Sequence, residues 1–273
     1  FQWIRGTMIG KGSQGKVYMA LNVTTGEIMA VKQVERPGAF ADGDGLRRIA
    51  DALREEQETL RDLNHPNVVQ YLGFEENRQT LNIFLEYVSG GTIDSCVKAF
   101  GKLREDVTKH FTRQILEGLA YLHSEGILHR DLKAANILVM DSGACKISDF
   151  GISKRNSRAF SFTGTSYCMA PETLSPGVHG YDAKVDIWSV GCVVQQMWTA
   201  MRAWLDVDFL TVWCRLGEGE LPPLPSDVSL SMLAHHFRQE CFQIAPDCRP
   251  SAEFLLLHPY LDLPPDWEFP GMR

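Results

Sequence analysis

The sequence predicts an α+β fold with two lobes: a small, mainly β N-lobe containing one long helix, and a larger, mainly α C-lobe. Short β-branched and apolar segments separated by turns dominate the first part of the chain, with one helical segment among them. The composition changes at Ser89-Gly90-Gly91, a flexible stretch, and most segments beyond it have helical periodicity. We therefore expect residues 1–273 to form a single domain with an N-lobe at 1–87, a hinge at 86–91, a C-lobe at 92–262 and a C-terminal tail at 263–273.

The N-lobe segments alternate between strands and turn residues. A glycine-rich turn and then Thr24-Thr25-Gly26 separate the first three predicted strands. After the third strand, apolar residues at helical spacing among charges predict a long helix over residues 46–63, with Asp44 as its N-cap. The strands are predicted over residues 7–9, 16–22, 27–34, 68–74 and 80–86.

Two C-lobe segments have strong helical patterns. Residues 106–124 keep an apolar face at helical spacing. Residues 185–198 are apolar on nearly all sides, as expected of a central buried helix. Residues 263–267 carry no further fold signal, so the sequence predicts a tail there.

Charge and cysteine content argue against several classes of function. A net charge of -7 argues against broad nucleic-acid binding, which needs a basic surface, but not against a local site for a nucleotide. The seven cysteines are odd in number and scattered, so we expect reduced thiols in an intracellular, cytoplasmic protein. The longest apolar stretch, residues 187–198, is too short to span a bilayer, and no secretory or transit segment is visible. Neither a nucleic acid nor a membrane is an expected partner.

The most informative feature is the run His-Arg-Asp-Leu-Lys-Ala-Ala-Asn at residues 129–136, followed by Asp-Phe-Gly at residues 149–151. Asp131 can orient a hydroxyl group and accept its proton, and Lys133 can neutralise phosphate charge nearby. Asn136 and Asp149 supply oxygen donors of the kind that hold Mg²⁺. These residue types in this order predict a site that transfers a phosphoryl group.

The glycine-rich segment Gly-Lys-Gly-Ser-Gln-Gly-Lys-Val, residues 10–17, lies between two predicted strands. Its glycines would let the backbone approach a phosphate group and direct N–H groups towards it. A Gly-x-Gly-x-x-Gly pattern alone is weak evidence, because a strand turn that binds no ligand can have the same composition. A dinucleotide-binding loop would open a helix, whereas the sequence predicts a strand over residues 16–22, which argues against that alternative.

A lysine follows the apolar run Met-Ala-Val on the third predicted strand, at Lys32. A surface lysine is the ordinary interpretation. A lysine buried beside phosphate would instead need a carboxylate to hold it in place. Glu55, Glu56 and Glu58 on the predicted long helix are the candidates for that carboxylate.

Together these motifs resemble those of the eukaryotic protein kinases, and the resemblance covers residues 6–261. It implies a two-lobed protein kinase fold and transfer of the ATP γ-phosphate to a protein, with ATP and Mg²⁺ as cofactors. Lys133, two residues after Asp131, resembles the serine/threonine kinases, so Ser or Thr is the expected acceptor. The chain starts at Phe1 rather than Met and its first motif arrives by Gly10, so we expect a catalytic domain of a longer protein.

The resemblance also implies a role for each site residue. Glu56, nine residues before His65, is the expected partner of Lys32. Backbone groups of Glu86 and Val88 would hydrogen-bond the adenine ring. The implied catalytic residues are Asp131, Lys133, Lys32 and Glu56. The implied nucleotide-binding residues are Ile9, Gly10, Lys11, Gly12, Ser13, Gly15, Val17, Ala30, Lys32, Glu86, Val88 and Leu138. The implied metal ligands are Asn136 and Asp149.

Residues 149–172 resemble a kinase activation segment. Arg130 is the kind of residue that pairs with an added phosphate and orders such a loop. Ser161 and Thr163 are the preferred phosphate acceptors, and Thr165 is expected to bond Asp131 and Lys133. The resemblance further implies two scaffold contacts: Glu172 with Arg249, and Asp186 with the backbone of the catalytic loop. The segment's serines and threonines are Ser153, Ser157, Ser161, Thr163, Thr165 and Ser166.

Three stretches, residues 22–34, 69–74 and 145–153, resemble the MAP kinase kinase kinases of fungal cell-wall integrity pathways. This resemblance implies a MAP kinase kinase as the protein substrate, phosphorylated on Ser or Thr. It also implies an upstream activating kinase or a scaffold as a partner. Cys168 stands where these kinases usually have Trp, which affects the expected substrate platform rather than the phosphoryl transfer.

Two alternatives stay open. One is a Ser/Thr kinase of a neighbouring class that acts on non-kinase substrates. The other is a catalytically weak pseudokinase that serves as a scaffold. The presence of all five expected site residues favours an active kinase; they are Lys32, Glu56, Asp131, Asn136 and Asp149.

Overall fold

The computed structural model describes residues 2–12, 15–35, 51, 54, 57–77, 79–149, 154–155, 166–174 and 182–272. Within these ranges an antiparallel sheet forms the N-terminal part of the chain and helices form most of the C-terminal part. The predicted α+β class with a mainly β N-lobe and a mainly α C-lobe is confirmed.

The N-lobe sheet has five antiparallel strands in the order β1-β2-β3-β5-β4. The central strand, β3, pairs with β2 on one edge and with β5 on the other. It is buried on both faces from Met29 to Lys32, so it carries the lysine into the interior. The strands are β1 (Trp3–Gly12), β2 (Gly15–Asn22), β3 (Ile28–Glu35), β4 (Tyr71–Glu76) and β5 (Thr80–Glu86).

The fourth predicted strand begins too early. We expected it over residues 68–74, but β4 starts at Tyr71. Val68 and Val69 instead contact the C-lobe: Val69 N–H donates to Ile147 O (2.9 Å), and Ile147 N–H donates to Asn67 O (2.8 Å). The first part of this apolar run therefore pairs with the C-lobe and the second part joins the N-lobe sheet. A strand pattern in the sequence does not show which lobe each part joins.

The long N-lobe helix is described in part. Residues 51, 54 and 57–60 are helical, in agreement with the prediction, and Leu60 is fully buried. Asp44, the expected N-cap, lies outside the described residues.

The C-lobe contains six helices among the described residues, together with short strand pairs that frame its loops. Strand β6 (Ile127–Leu128) pairs with β9 (Lys154–Arg155), and β7 (Ile137–Val139) pairs with β8 (Cys145–Ile147). The helices are α1 (Ile93–Phe100), α2 (Glu105–Ser124), α3 (Lys184–Thr199), α4 (Phe209–Gly217), α5 (Met232–Cys241) and α6 (Ala252–Leu255).

Helices α2 and α3 form the centre of the C-lobe, and both predictions for them are confirmed to within a residue. Every residue of α3 from Val185 to Thr199 is buried. Apart from the Trp188 indole N–H, which is buried without a hydrogen-bond partner among the described residues, its buried polar side chains are hydrogen-bonded within the protein; for example, Gln195 Nε2 donates to Pro223 O (2.8 Å). Because this helix is buried on all sides, it provides fixed attachment points for the loops that surround it.

The C-terminal tail packs against α2. Trp267 Nε1 donates to Asp106 Oδ2 (2.9 Å), and the Phe269 ring lies 5.5 Å from the His110 ring. At Gly143, an added Cβ would lie 2.4 Å from Phe269, so only glycine allows this approach. The contact comes from tertiary packing and leaves no periodic signal in the sequence.

All seven cysteines are free thiols. Within the described ranges, none of the helices combines the length and the apolar character needed to cross a bilayer.

A buried ion pair joins the end of the activation segment to the C-lobe, as the resemblance implied. Arg249 Nη1 donates to Glu172 Oε1 (2.8 Å) and Nη2 donates to Oε2 (3.2 Å). The guanidinium also donates to the backbone carbonyls of Lys184 and Gln243 and lies 5.2 Å from the Trp188 ring centroid. Arg249 is fully buried, and protein oxygen atoms accept hydrogen bonds from all the nitrogen atoms of its guanidinium group.

Replacing Arg249 with methionine is expected to lower the free energy of unfolding by about 3–5 kcal/mol, because it leaves the Glu172 carboxylate buried without its cation. Urea denaturation of wild type and variant measures the difference. Arg215→Met is the matched control, since Arg215 is 42% exposed and lies 3.8 Å from Glu220; it is expected to change stability by less than about 1 kcal/mol. Equal effects of the two substitutions would contradict a structural role for the buried pair.

Candidate active site

The catalytic loop connects β6 to β7 and brings two predicted site residues, Lys133 and Asn136, to the carboxylate of Asp131. Lys133 Nζ donates to Asp131 Oδ2 (2.6 Å). Asn136 Nδ2 donates to the Asp131 backbone carbonyl (2.9 Å) and lies 3.4 Å from Oδ2. The Asp131 side chain is mostly buried, with 12% of its surface exposed. The carboxylate is therefore held by donors on one side and can face a substrate hydroxyl on the other.

Asp186 holds the backbone of this loop, as the resemblance implied. The His129 N–H donates to Asp186 Oδ2 (2.9 Å) and the Arg130 N–H donates to Oδ1 (2.8 Å). His123 Nε2 lies 2.9 Å from Oδ2. Arg130 has a φ of 67°, in the left-handed region that is costly for a side chain other than glycine, so these bonds stabilise an unfavourable backbone.

The Asp186 carboxylate stays ionised although it is fully buried. Burial by itself raises the pKa of Asp186. The hydrogen bond and charge of His123, the charge of His129 and the Arg130 N–H outweigh it, so the pKa lies below the ordinary value. A charged anchor on the rigid helix α3 thus sets the position of the loop that carries Asp131.

Replacing Asp186 with asparagine is expected to lower kcat about 10²-fold, because misplacing a catalytic group by about 1 Å costs that much. The KM for ATP should change little, which separates loss of loop position from loss of nucleotide binding. Asp262→Asn, at an exposed aspartate, is the control.

The same variant has an expected pH signature. Because folding lowers the pKa of Asp186, the ionised group stabilises the fold at neutral pH, and this contribution is lost as the pH falls through the folded-state pKa. The difference in unfolding free energy between wild type and Asp186→Asn should therefore be largest near pH 7 and shrink below about pH 4. A difference that grows on acidification would contradict the assignment.

Lys32 and Asp149 connect the two lobes. Lys32 Nζ donates to Asp149 Oδ1 (2.8 Å), and Lys32 is buried. Asp149 has a φ of 64°, a second left-handed residue in the site. Burial raises the pKa of Asp149, but the charge and hydrogen bond of Lys32, with the charges of His129 and Lys133, lower it further than burial raises it. Glu56, the expected partner of Lys32, lies outside the described residues.

The two residues predicted to bind metal are linked through Ser148. Ser148 Oγ and its backbone N–H both donate to Asn136 O (2.9 Å each). Asn136 directs its amide nitrogen to Asp131, so its amide oxygen is the atom that can act as a ligand. Asp149 uses Oδ1 for Lys32, so Oδ2 can act as the second. One amide oxygen and one carboxylate oxygen fit Mg²⁺, which completes its shell with water and phosphate oxygens.

The glycine-rich segment forms the hairpin between β1 and β2. Gly10 pairs with Val17, Lys11 with Lys16, and Gly12 with Gly15. Gly15 has a φ of 139°, and an added Cβ would lie 2.5 Å from Gln33 O, so the turn requires glycine. Ile9 and Lys11 are exposed beside it. The segment is a strand-to-strand turn, in agreement with the sequence argument against a dinucleotide-binding loop; Ser13 lies outside the described residues.

Strand register places three predicted nucleotide-binding residues on one face of the sheet. Val17 is the cross-strand partner of Lys32, and Ala30 lies two residues before Lys32. Side chains two apart on a strand, and directly paired ones on neighbouring strands, share a face. Because Lys32 reaches Asp149 from this face, Val17 and Ala30 face the C-lobe as well.

The hinge is tied to both lobes. The Glu86 N–H donates to Gln70 O (3.0 Å), and the Glu86 carboxylate accepts from the Gln70 N–H (2.6 Å) and from Lys146 Nζ (2.9 Å). Val88 is buried, and Leu138 lies on β7, next to Val139, whose carbonyl accepts from the Gly90 N–H (2.9 Å). The hinge thus runs between the sheet face that carries Ala30 and the strand that carries Leu138.

Several predicted residues lie outside the described ranges, and two contacts of the site join segments that the sequence does not connect. The pairs of His123 with Asp186 and of Lys146 with Glu86 carry no signal in the sequence, because the partners of each pair are far apart in the chain. Ser166 begins a 3₁₀ turn, Ser166–Cys168. Outside the described residues lie Phe150, Gly151, Ser153, Ser157, Ser161, Thr163 and Thr165.

The site thus contains a carboxylate held by Lys133 and Asn136 and a second carboxylate bound to Lys32 on β3. The family model for the protein kinase domain matches residues 3–261, and the chain belongs to this family. Members of the family use ATP together with a divalent metal ion, generally Mg²⁺.

The chain is similar to fungal and plant MAP kinase kinase kinases. It is 46% identical over 281 residues to the serine/threonine-protein kinase BCK1/SLK1/SSP31 of Saccharomyces cerevisiae. It is 44% identical over 280 residues to the MAP kinase kinase kinase mkh1 of Schizosaccharomyces pombe and 42% identical over 267 residues to ANP1 of Arabidopsis thaliana. These alignments include 100%, 98% and 95% of this chain, which spans 19%, 25% and 40% of the respective relatives.

Proposed function

We propose that this chain is the catalytic domain of an ATP- and Mg²⁺-dependent serine/threonine kinase that phosphorylates a MAP kinase kinase. The observation that carries the proposal is the geometry around Asp131. A carboxylate held by Lys133 and Asn136, with Asp149 bound to Lys32 nearby, has the parts that phosphoryl transfer needs: a group to orient a hydroxyl, cations near phosphate, and ligands for a metal.

Each site residue has a role in this proposal. Asp131 accepts the proton of the substrate hydroxyl, and Lys133 neutralises charge on the transferred phosphoryl group. Lys32, oriented by Asp149 and by the expected partner Glu56, holds the phosphates of ATP. Mg²⁺ at Asn136 and Asp149 would neutralise charge on the phosphate oxygens.

The nucleotide is proposed to bind between an N-lobe at residues 1–87 and a C-lobe at residues 92–262. The adenine ring meets backbone groups of Glu86 and Val88 and the apolar side chains of Val17, Ala30 and Leu138. The hairpin covers the phosphates through its backbone N–H groups, with contributions from Ile9, Gly10, Lys11, Gly12, Ser13 and Gly15.

The substrate assignment is supported by the relatives, which include proteins named as MAP kinase kinase kinases. We propose the same place in a cascade for the protein that contains this chain, with an upstream activating kinase or a scaffold as partner and the cytoplasm as location. Acceptance of Ser or Thr is supported by Lys133 and by the serine/threonine kinase among the relatives.

A substrate panel tests this proposal. The domain is incubated with Mg-ATP and MAP kinase kinases whose own catalytic lysine has been replaced, alongside generic protein substrates such as casein and histone. The expected result is a kcat/KM for the MAP kinase kinases well above that for the generic proteins. Comparable transfer to generic proteins would favour a kinase of a neighbouring class, and background transfer to every substrate would favour a scaffold.

A further inference from the structure

A cluster of charged and aromatic side chains joins α1 to the end of the activation segment. Asp94, in the first turn of α1, accepts hydrogen bonds from Lys98 Nζ (2.6 Å) and Gln196 Nε2 (2.9 Å). Arg202 Nη2 lies 3.5 Å from Asp94 Oδ1, and the Arg202 guanidinium lies 5.3 Å from the Tyr167 ring centroid. We call these five residues the Asp94 cluster.

The Asp94 cluster lies beside the catalytic loop. Helix α1 packs against the 3₁₀ turn Ala134–Asn136, which directly follows Lys133. The 3₁₀ turn Ser166–Cys168, which carries Tyr167, packs against α3, and Asp186 of α3 holds the backbone of the catalytic loop. A protein segment that presents its hydroxyl to Asp131 is therefore expected to pass close to this cluster.

The solvent-exposed charges of the Asp94 cluster are positive. The side chains of Lys98 and Arg202 are 65% and 41% exposed, whereas that of Asp94 is 10% exposed. Burial raises the pKa of Asp94, but the hydrogen bonds from Lys98 and Gln196 and the charges of Lys98 and Arg202 outweigh it, so the carboxylate is ionised and engaged. Because its anion is buried and its two cations are exposed, the Asp94 cluster presents a positively charged surface, although the chain as a whole carries a net charge of -7.

We propose that the Asp94 cluster determines substrate specificity by rejecting lysine and arginine beside the acceptor hydroxyl and favouring aspartate or glutamate there. This inference rests on the proposed function, because it concerns the protein segment that reaches Asp131. A cationic substrate side chain would meet Lys98 and Arg202 before a carboxylate that is already paired. An acidic side chain would meet the same two cations as partners.

Acceptor peptides that differ at a single position test the proposal. One serine-containing sequence is made with alanine, arginine or aspartate placed in turn at each position flanking the serine. For the wild-type domain, kcat/KM is expected to fall about fivefold from alanine to arginine at one or more positions and to rise for aspartate, the size typical of partly exposed charges.

Two variants reverse the expected preference. In Lys98→Ala/Arg202→Ala the Asp94 carboxylate loses both cations, so arginine should become preferred over aspartate at the same positions. Lys98→Ala alone, at a side chain that is 65% exposed, removes one of the two cations and should shift the preference in the same direction, which keeps the test valid if the double variant does not fold. Arg215→Ala removes a cation from α4 and should leave the wild-type preference unchanged.

Equal kcat/KM for alanine and arginine peptides at every flanking position would overturn the inference and leave the proposed function standing. A preference that stays the same in both cluster variants would also overturn it. Background transfer to all peptides and to every MAP kinase kinase would contradict the proposed function and this inference together.

Discussion

Replacing Asp131 with asparagine is expected to lower kcat for phosphate transfer by about 10²–10⁴-fold, the usual contribution of a positioned general base. Asparagine keeps the size of the side chain and an oxygen that can accept from Lys133, so the loop keeps its contacts. It removes the negative charge and the ability to accept the hydroxyl proton. The loss should therefore appear in kcat, with little change in the KM for ATP.

Steady-state transfer from Mg-ATP to a protein substrate measures this effect, and Asp262→Asn again serves as the exposed control. Thermal unfolding of the variant reports whether the fold is intact. A folded Asp131→Asn protein with a kcat in the wild-type range would rule out proton acceptance by Asp131 and would move the catalytic assignment elsewhere.

Replacing Lys32 with methionine is the second substitution with a large expected effect. Removing one preorganised donor from the place where charge develops typically costs about 10²–10³-fold in kcat, and Lys32 is the proposed donor to the ATP phosphates. The Asp149 side chain is 47% exposed, so losing Lys32 leaves that carboxylate in contact with water and costs much less in stability than in activity. Transfer to a protein substrate and urea denaturation of the same preparation separate the two effects.

Lys102→Met is the matched control for this experiment. Lys102 lies between α1 and α2, its side chain is 41% exposed and it pairs with Asp227 (2.6 Å) at the surface. It is expected to leave kcat unchanged and to alter stability by less than about 1 kcal/mol. A loss of stability in Lys32→Met that matches its loss of activity would show that the lysine is structural rather than catalytic.

The fold class and the main helices could be predicted from local patterns. The apolar spacing of α2 and the all-round burial of α3 are properties of single segments, so their bounds followed from the sequence. The glycine hairpin could also be predicted, because a dinucleotide-binding loop would have required a helix after Gly15. Asp131, Lys133 and Asn136 lie within six residues, and the structure brings them into contact.

Contacts between distant segments were harder to predict. Resemblance to a family supplied the pairs of Glu172 with Arg249 and of Asp186 with the loop backbone; spacing alone does not select them. The packing of Trp267 and Phe269 on α2 and the Asp94 cluster left no local signal, since they depend on how helices meet in space. The pattern predicts a strand from residue 68, but β4 begins at Tyr71. The residues before Tyr71 form backbone hydrogen bonds with Ile147, which is far along the chain.

The most direct test of the account is a single-turnover assay with γ-labelled ATP, Mg²⁺ and a MAP kinase kinase whose own catalytic lysine has been replaced. The predicted result is label on serine or threonine of the substrate, abolished by chelation of Mg²⁺ and reduced to background in Asp131→Asn. Label that persists at the wild-type rate in the folded Asp131→Asn domain, or that appears only on tyrosine, would contradict it.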